Sequence, residues 1–597
     1  MTSVVVLAVI ARSAIPLPLA SDSDWAYVGG DSGGARYSTV DQIDTSNVAK
    51  LKQAWVFHTG DAKGDTPIQC TPIVVEGTMY LVTSGHRVVA LNPVTGRRKW
   101  TFDSKNNDSK SGHSRSSRGV AYWSDGKAGG KRRILYGTPD GRILCLDAKT
   151  GDPDRAFKTV DLRTELGSEW TGTYVGISAA PTVHRDLVLV GIAGGEDSGA
   201  APGTIMAFSV QTGKRVWSFD VLPTSQNPQA KSKLGAGGAW SGYVSDPKRD
   251  VLYAATGSAA SDFDGTGRPG DNLYANCVLS LDAKTGRRLW HFQTVHHDLW
   301  DHDNASAPIL CKVRRDSKLI DAVAVVTKTG FCYVLNRVTG KPLFDVREVD
   351  VPASVIEGEV AAKTQPEPVL PPALSRTVFT DNDVTDISAE ARLDVLKKLK
   401  GLSYSQAYLP PTRQGTVVVP GYFGGSPWSG ASFDPRSNTL FVNTNDLPGI
   451  MSNPANYLHL TDREGYPGIK PPWGALTAID LNTGRFRWRK TLGEYRDLTR
   501  RGVPQTGTPN LGGTLVTKGN LVFVGATCDQ TLRAFDSRTG KTLLEYRLPA
   551  SAFAAPSTFS VRGKQYLVIA ASGGGYAKLF GFDQGPTSDT FVCLTLP

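Results

Sequence analysis

The chain of 597 residues is 40% hydrophobic and 20% charged, a balance that excludes intrinsic disorder. Its 66 basic and 56 acidic residues leave a net charge of +10, spread without a basic run, which argues against a nucleic-acid groove. No stretch approaches the ~18–20 apolar residues that span a membrane. Glycine (63) and proline (36) are abundant and long helical periodicities scarce, so the chain reads as all-β and rich in turns. The seven cysteines form neither a CxxC nor a CxxCH pattern, so no zinc module or covalently held c-type haem is encoded.

Residues 1–23 carry a short apolar run at 4–10 and Pro18-Leu19-Ala20 before a polar stretch. This is the outline of a secretory leader, although Arg12 interrupts it and a basic start is lacking. Export to the periplasm or medium is the expectation. Residues 24–597 then read as one large folded unit.

Within that unit one pattern recurs, Ala-Leu-Asp-x-x-Thr-Gly-Lys/Arg-x-x-Trp. Full copies end at Trp100, Trp217, Trp290 and Trp488; degraded copies end at Phe344 and Leu544, and a seventh, around Thr150, has lost the aromatic. The pattern is a hairpin: Asp or Asn bonds the turn backbone, and Gly supplies the positive φ. Such a unit cannot bury both faces alone, so the copies must stack. The turn threonines, Thr95, Thr150, Thr212, Thr285, Thr339, Thr483 and Thr539, are separated by 55, 62, 73, 54, 144 and 56 residues. The gap of 144 predicts one unmarked unit, for which residues 430–443 have the strand-turn-strand pattern. Seven marked units and one unmarked predict an eight-bladed β-propeller with tryptophan-docking repeats. Two stretches, 348–403 with a predicted helix at 388–399, and 446–472, interrupt the spacing and read as loops on one face.

Between the fourth and fifth turns, residues 296–303 hold three histidines (His296, His297, His302) and three carboxylates (Asp298, Asp301, Asp303). Adjacent histidines in a strand point to opposite faces, and zinc sites draw well-spaced ligands from several elements, so zinc is not predicted.

The residues at 24–38, 51–60, 68–75, 270–276, 295–303 and 507–513 carry a co-linear resemblance. From about residue 24 to the C-terminus the chain resembles the pyrroloquinoline quinone (PQQ)-dependent, or quinoprotein, alcohol and sugar dehydrogenases, nearest the soluble propeller of the glucose dehydrogenase-like subgroup. The resemblance implies oxidation of an alcohol, sugar or polyol hydroxyl to a carbonyl, with hydride passing to PQQ. Asp301 would be the general base, and Lys328, 27 residues later, the cation facing the quinone oxygens. Trp240 would be the floor under the quinone, and Arg118 the clamp for a cofactor carboxylate. Gln69, His113, Asn443 and Asn510 are further cofactor-binding candidates, His113 standing where alcohol-oxidising members carry a vicinal disulfide. Glu196, Ser258, Asp301 and Asp303 are the metal candidates, Ser258 replacing the usual Asn. Their hard oxygens point to Ca2+ ahead of Mg2+ or a lanthanide. Electrons would pass to an external acceptor, a cytochrome c or a quinone. The competing reading is a non-catalytic propeller serving as an envelope assembly scaffold, a group that shares the repeats and lacks the site.

Overall fold

The computed structural model describes residues 24–61, 67–105, 117–170, 172–315, 317–454 and 456–597. The leader expected at 1–23 and His113 lie outside the described residues. Strands dominate, arranged in antiparallel sheets whose members follow one another in sequence.

The turn repeats fold as their chemistry requires. Asn92 Oδ1 accepts the backbone N–H groups of Val94 and Thr95, and Asp282 Oδ1 those of Lys284 and Thr285. Gly96, Gly151, Gly213, Gly286, Gly340, Gly484 and Gly540 all have φ between 68° and 80°, a conformation that costs a residue with a Cβ.

Where a tryptophan is present, it docks on the turn of the next sheet. Trp55, Trp100, Trp217, Trp290 and Trp488 donate from Nε1 to the carbonyls of Pro93, Ala148, Ala283, Arg337 and Ser537, at 3.0–3.1 Å. Each of those carbonyls lies three residues before the turn glycine. A Cβ on Gly286 would stand 2.4 Å from the Trp217 ring, and one on Gly151 2.6 Å from that of Trp100. The glycines therefore serve twice, for the turn and for the indole. Where the repeat lacks tryptophan, Phe157 faces Gly213 and Phe344 faces Gly484.

The seven turns fall in seven different sheets. Residues 430–443 do not make a sheet of their own, which corrects the unmarked unit expected there. Ser432–Asp434 and Thr439–Asn445 instead begin the sheet that continues through Gly474–Asp480 and Arg485–Thr491, across the Thr483 turn. The long gap is filled by insertions: a hairpin of Val346–Asp350 with Thr364–Pro368, the helix Ala389–Lys398, and a sheet of Thr416–Val418, Gly449–Ser452 and Asn456–His459. The helix begins as predicted, with Ser388 Oγ accepting the N–H of Ala391 at 3.1 Å.

A further sheet joins the two ends of the described chain. Lys52–His58 pairs antiparallel with Thr590–Thr595, beside Lys564–Ala571 and Ser557–Val561. Residues 24–38 then strap five sheets together. The strap pairs with Val74 through Trp25, and its carbonyls at Ser32, Gly33, Ala35 and Arg36 accept the N–H groups of Ser245, Leu310, Phe433 and Val516 at 2.7–3.0 Å. These bonds close the sheets into a β-propeller.

Candidate active site

A cavity of about 150 Å3 opens where the connections that follow successive inner strands converge. Gly194, Gly195 and Glu196 follow Leu187–Val190, Gly257 and Ser258 follow Val251–Ala255, and Lys328 follows Lys318–Val326. Sheet geometry thus brings together residues far apart in sequence. Gly257 leaves room that no side chain could share, since a Cβ there would meet Asp303 Oδ1 at 2.3 Å and Trp240 Nε1 at 2.9 Å.

Lys328 lines this cavity, and Asp301 lies just behind it, outside the lining. Lys328 Nζ lies 2.8 Å from Asp301 Oδ1 and 3.2 Å from Asp303 Oδ2. Asp301 has a φ of 55° and is buried, and its Oδ2 has no hydrogen-bond partner among the described residues. The turn is held by Asp298, which accepts the N–H groups of Trp300 (2.9 Å) and His302 (2.8 Å), the Asn276 amide (3.0 Å) and the Ser258 hydroxyl. Asp303 accepts the N–H of Ser258.

The local charge is strongly acidic. Burial pushes the Asp301 carboxyl well above the ordinary range; Lys328 opposes this, and Asp303 and Glu196 reinforce it. Asp262, which sequence reasoning missed, is pushed up by burial and by Asp301, Glu196, Asp303 and Asp298. Burial opposes the Lys328 ammonium, but Asp301 and Asp303 outweigh it and hold the amine above the usual lysine value. Lys328 pairs with both Asp301 and Asp303, Arg268 acts on Asp262, and Glu196 adds a further carboxylate. The orphaned Asp301 oxygen and these hard oxygen donors fit a further cation. Among the described residues, however, no three carboxylate, imidazole or thiol side chains already converge as a metal cage.

The opposite wall fits a planar anion. Trp240 is half-buried, and the Arg118 guanidinium stands 4.9 Å from its ring centroid while donating to its carbonyl at 3.1 Å. Arg118 Nε is buried without a partner among the described residues. Burial, with Arg36 nearby, pulls this guanidinium down to about 9. Gln69 and Ala193 line the same cavity. Asn443 and Asn510 do not. Both are fully buried, with the Asn443 amide donating to Asn510 Oδ1 and the Asn510 amide to Thr444 O at 2.9 Å.

The three histidines diverge. His296 Nδ1 meets Gln293 Oε1 at 2.8 Å, His297 bridges Gly270 O and Glu359 at 2.8 Å each, and His302 Nε2 meets Pro420 O at 3.2 Å. The insertions clamp this segment: Gln365 bonds both backbone groups of His296, and Trp300 Nε1 donates to Leu409 O at 2.9 Å. They also deliver Tyr422, Phe423 and Trp428 to the cavity, joined by Tyr576 from near the C-terminus. No motif announced these aromatics.

One face of the β-propeller thus brings a buried carboxylate–ammonium pair, an indole and a guanidinium together. The chain belongs to the PQQ glucose/ethanol/alcohol dehydrogenase family, whose beta-propeller domain matches residues 25–458 and 453–567. It is 33% identical to quinoprotein glucose dehydrogenase A of Acinetobacter calcoaceticus, over 98% of this chain and 81% of that protein. It is 32% identical to quinate/shikimate dehydrogenase (quinone) of Acinetobacter baylyi, over 93% of this chain and 77% of that one. Among solved structures, the quinohemoprotein alcohol dehydrogenase of Comamonas testosteroni superposes with a TM-score of 0.73 at 25% identity, covering 97% of this chain and 81% of that one. No helix among the described residues is long and apolar enough to cross a membrane.

Proposed function

We propose that the chain is a PQQ-dependent dehydrogenase in which Asp301 takes the hydroxyl proton of an alcohol, sugar or polyol. The observation that carries this reading is the Asp301–Lys328 pair, with Lys328 lining the cavity and Asp301 buried directly behind it, one of its oxygens uncommitted. The uncommitted Asp301 Oδ2 is the atom that could accept a hydroxyl proton. When bound, the quinone supplies the acceptor for the hydrogen that leaves the alcohol carbon. Lys328 holds positive charge beside that acceptor, Trp240 provides a flat support, and Arg118 with Gln69 anchors a carboxylate at the far end.

Glu196, Asp301 and Asp303 would hold the divalent ion, with Asp262 and Ser258 on the same wall. Hard oxygens favour Ca2+, and a lanthanide would use the same acidic set. Its charge would offset the carboxylate charge and draw the Asp301 proton affinity back down. Reoxidation by a separate cytochrome c or quinone, a periplasmic location and eight blades complete the reading. A non-catalytic scaffold is not favoured, because a buried ammonium among so many carboxylates is costly to keep for shape alone.

The test is reconstitution of the whole chain with PQQ and Ca2+, scored by dye reduction across an alcohol panel and by cofactor absorbance. Asp301→Asn is expected to bind the cofactor and lose turnover. Full turnover in that variant overturns the role of Asp301.

A further inference from the structure

The cavity has two unlike sides. Glu196, Asp262, Asp303 and Lys328 gather around Asp301, and Arg118 lies over Trp240. Facing the reacting pair, Tyr422, Phe423 and Tyr576 make a wall of rings. The wall begins at the chemistry, since Lys328 Nζ stands 5.3 Å from the Tyr422 ring centroid. It continues outward: Tyr422 lies 5.9 Å from Tyr576 and 6.2 Å from Phe580, and Phe423 lies 5.8 Å from Phe580. His459 closes the back, 4.4 Å from Phe580, and burial pulls its imidazole down to about 4, so it is neutral.

The wall carries few polar atoms, and the hydroxyls of Tyr422 and Tyr576 lie against each other. The Tyr457 hydroxyl accepts the N–H of Tyr422 at 2.8 Å. The short helix Gly575–Leu579 that carries Tyr576 ends in Leu579, which is 73% exposed. A ligand extending away from Asp301 on this side meets ring faces. A hexose placed there would stack its C–H face but strip water from several hydroxyls without replacing their hydrogen bonds, and each such loss weakens binding. An apolar ring would gain contact with no such loss.

We propose that Tyr422, Phe423 and Tyr576 form a subsite for the apolar ring of a cyclic or aryl-bearing alcohol, which the chain takes in preference to free hexoses. This rests on the dehydrogenase reading above.

Two measurements on the cofactor-loaded whole chain test it. In the first, kcat/KM is compared for cyclohexanol, benzyl alcohol, glycerol and glucose. The expected result is at least a tenfold preference for the ring-bearing pair over glucose. Tyr576→Ala should lower the cyclohexanol-to-glycerol ratio about tenfold, mainly through KM, and Tyr576→Phe should restore it. In the second, cyclohexanone is titrated calorimetrically, which needs no turnover. Saturable binding that weakens in Tyr576→Ala supports the subsite even if every alcohol fails as substrate, a failure that would sink the dehydrogenase reading instead. A preference for glucose, a ratio unmoved by Tyr576→Ala, or no cyclohexanone binding overturns the proposal.

Discussion

Glu359, in the long insertion, receives His297 Nε2 at 2.8 Å, and the two side chains are only 2% and 1% exposed. His297 Nδ1 meets Gly270 O at 2.8 Å on the other side of the ring. The N–H of Gly265 completes the tie on the other Glu359 oxygen. The pair fastens the insertion to the segment that presents Asp301, four residues on.

Removing the carboxylate strands a buried imidazole against nothing. Glu359→Ala is expected to cost about 3 kcal/mol, the scale of breaking a buried ion pair, and to speed proteolysis within residues 351–363. Urea unfolding and limited digestion check both. An unchanged midpoint and digestion pattern would show that the tie carries no load.

The central pair separates chemistry from stability. Asp301→Asn keeps the shape and removes the base, so kcat should fall by roughly 10²–10⁴ with little change in unfolding temperature. Lys328→Met leaves Asp301 and Asp303 facing each other in a buried site and should destabilise the cofactor-free protein by about 3 kcal/mol. Unfolding scans of the two variants should therefore diverge while both lose activity.

The docking rule predicts a cost with two sources at one atom. Gly286→Ala places a methyl 2.4 Å from the Trp217 ring and forces a positive φ on a residue with a Cβ, so a loss of about 2–4 kcal/mol is expected. Trp217→Phe, which keeps a ring and loses the bond to Ala283 O, should cost less, about 1–2 kcal/mol. Denaturant midpoints rank them, and the reverse order would argue that the indole bond, not the close approach, holds neighbouring sheets.

His459 gives the aromatic wall an acid limit. Its folded-state affinity for protons is lowered, to about 4, against 6.5 when unfolded. The stability it contributes is therefore complete above pH ~6.5 and is lost as pH falls toward 4, a total of about 3 kcal/mol. Unfolding temperature measured across pH 4–7 should fall less steeply in His459→Phe than in the parent. Parallel curves would remove His459 as the cause.

Much of this molecule could be read from its residues. The turn glycines and their tryptophans sit in short contiguous patterns that can be read locally, whereas Asp301 and Lys328 stood out only through resemblance to a family. The aromatic wall could not be read, because Tyr422, Phe423 and Tyr576 come from irregular connections with no period. Asp262 was missed for the same reason. The error at 430–443 has a different origin. The spacing rule assumes that each sheet is continuous in sequence, and it had no way to see that the closing sheet borrows Lys52–His58 from one end while an insertion stretches another interval. Asn443 and Asn510 lie outside the cavity lining, where Asn443 donates to Asn510 Oδ1 and keeps its own Oδ1 without a partner among the described residues.

That borrowed strand sets a clock on biosynthesis. His58 and Asp589 bond across the seam, 531 residues apart. At ~5–20 residues per second, the early strand waits roughly 30–100 s for its partners to be translated. Until residues 590–595 are made, Lys52–His58 has no partner for its strand edge, and an unpaired edge invites pairing between neighbouring chains. Expression yield should then depend on chaperone capacity and translation rate more than on the stability of the finished ring.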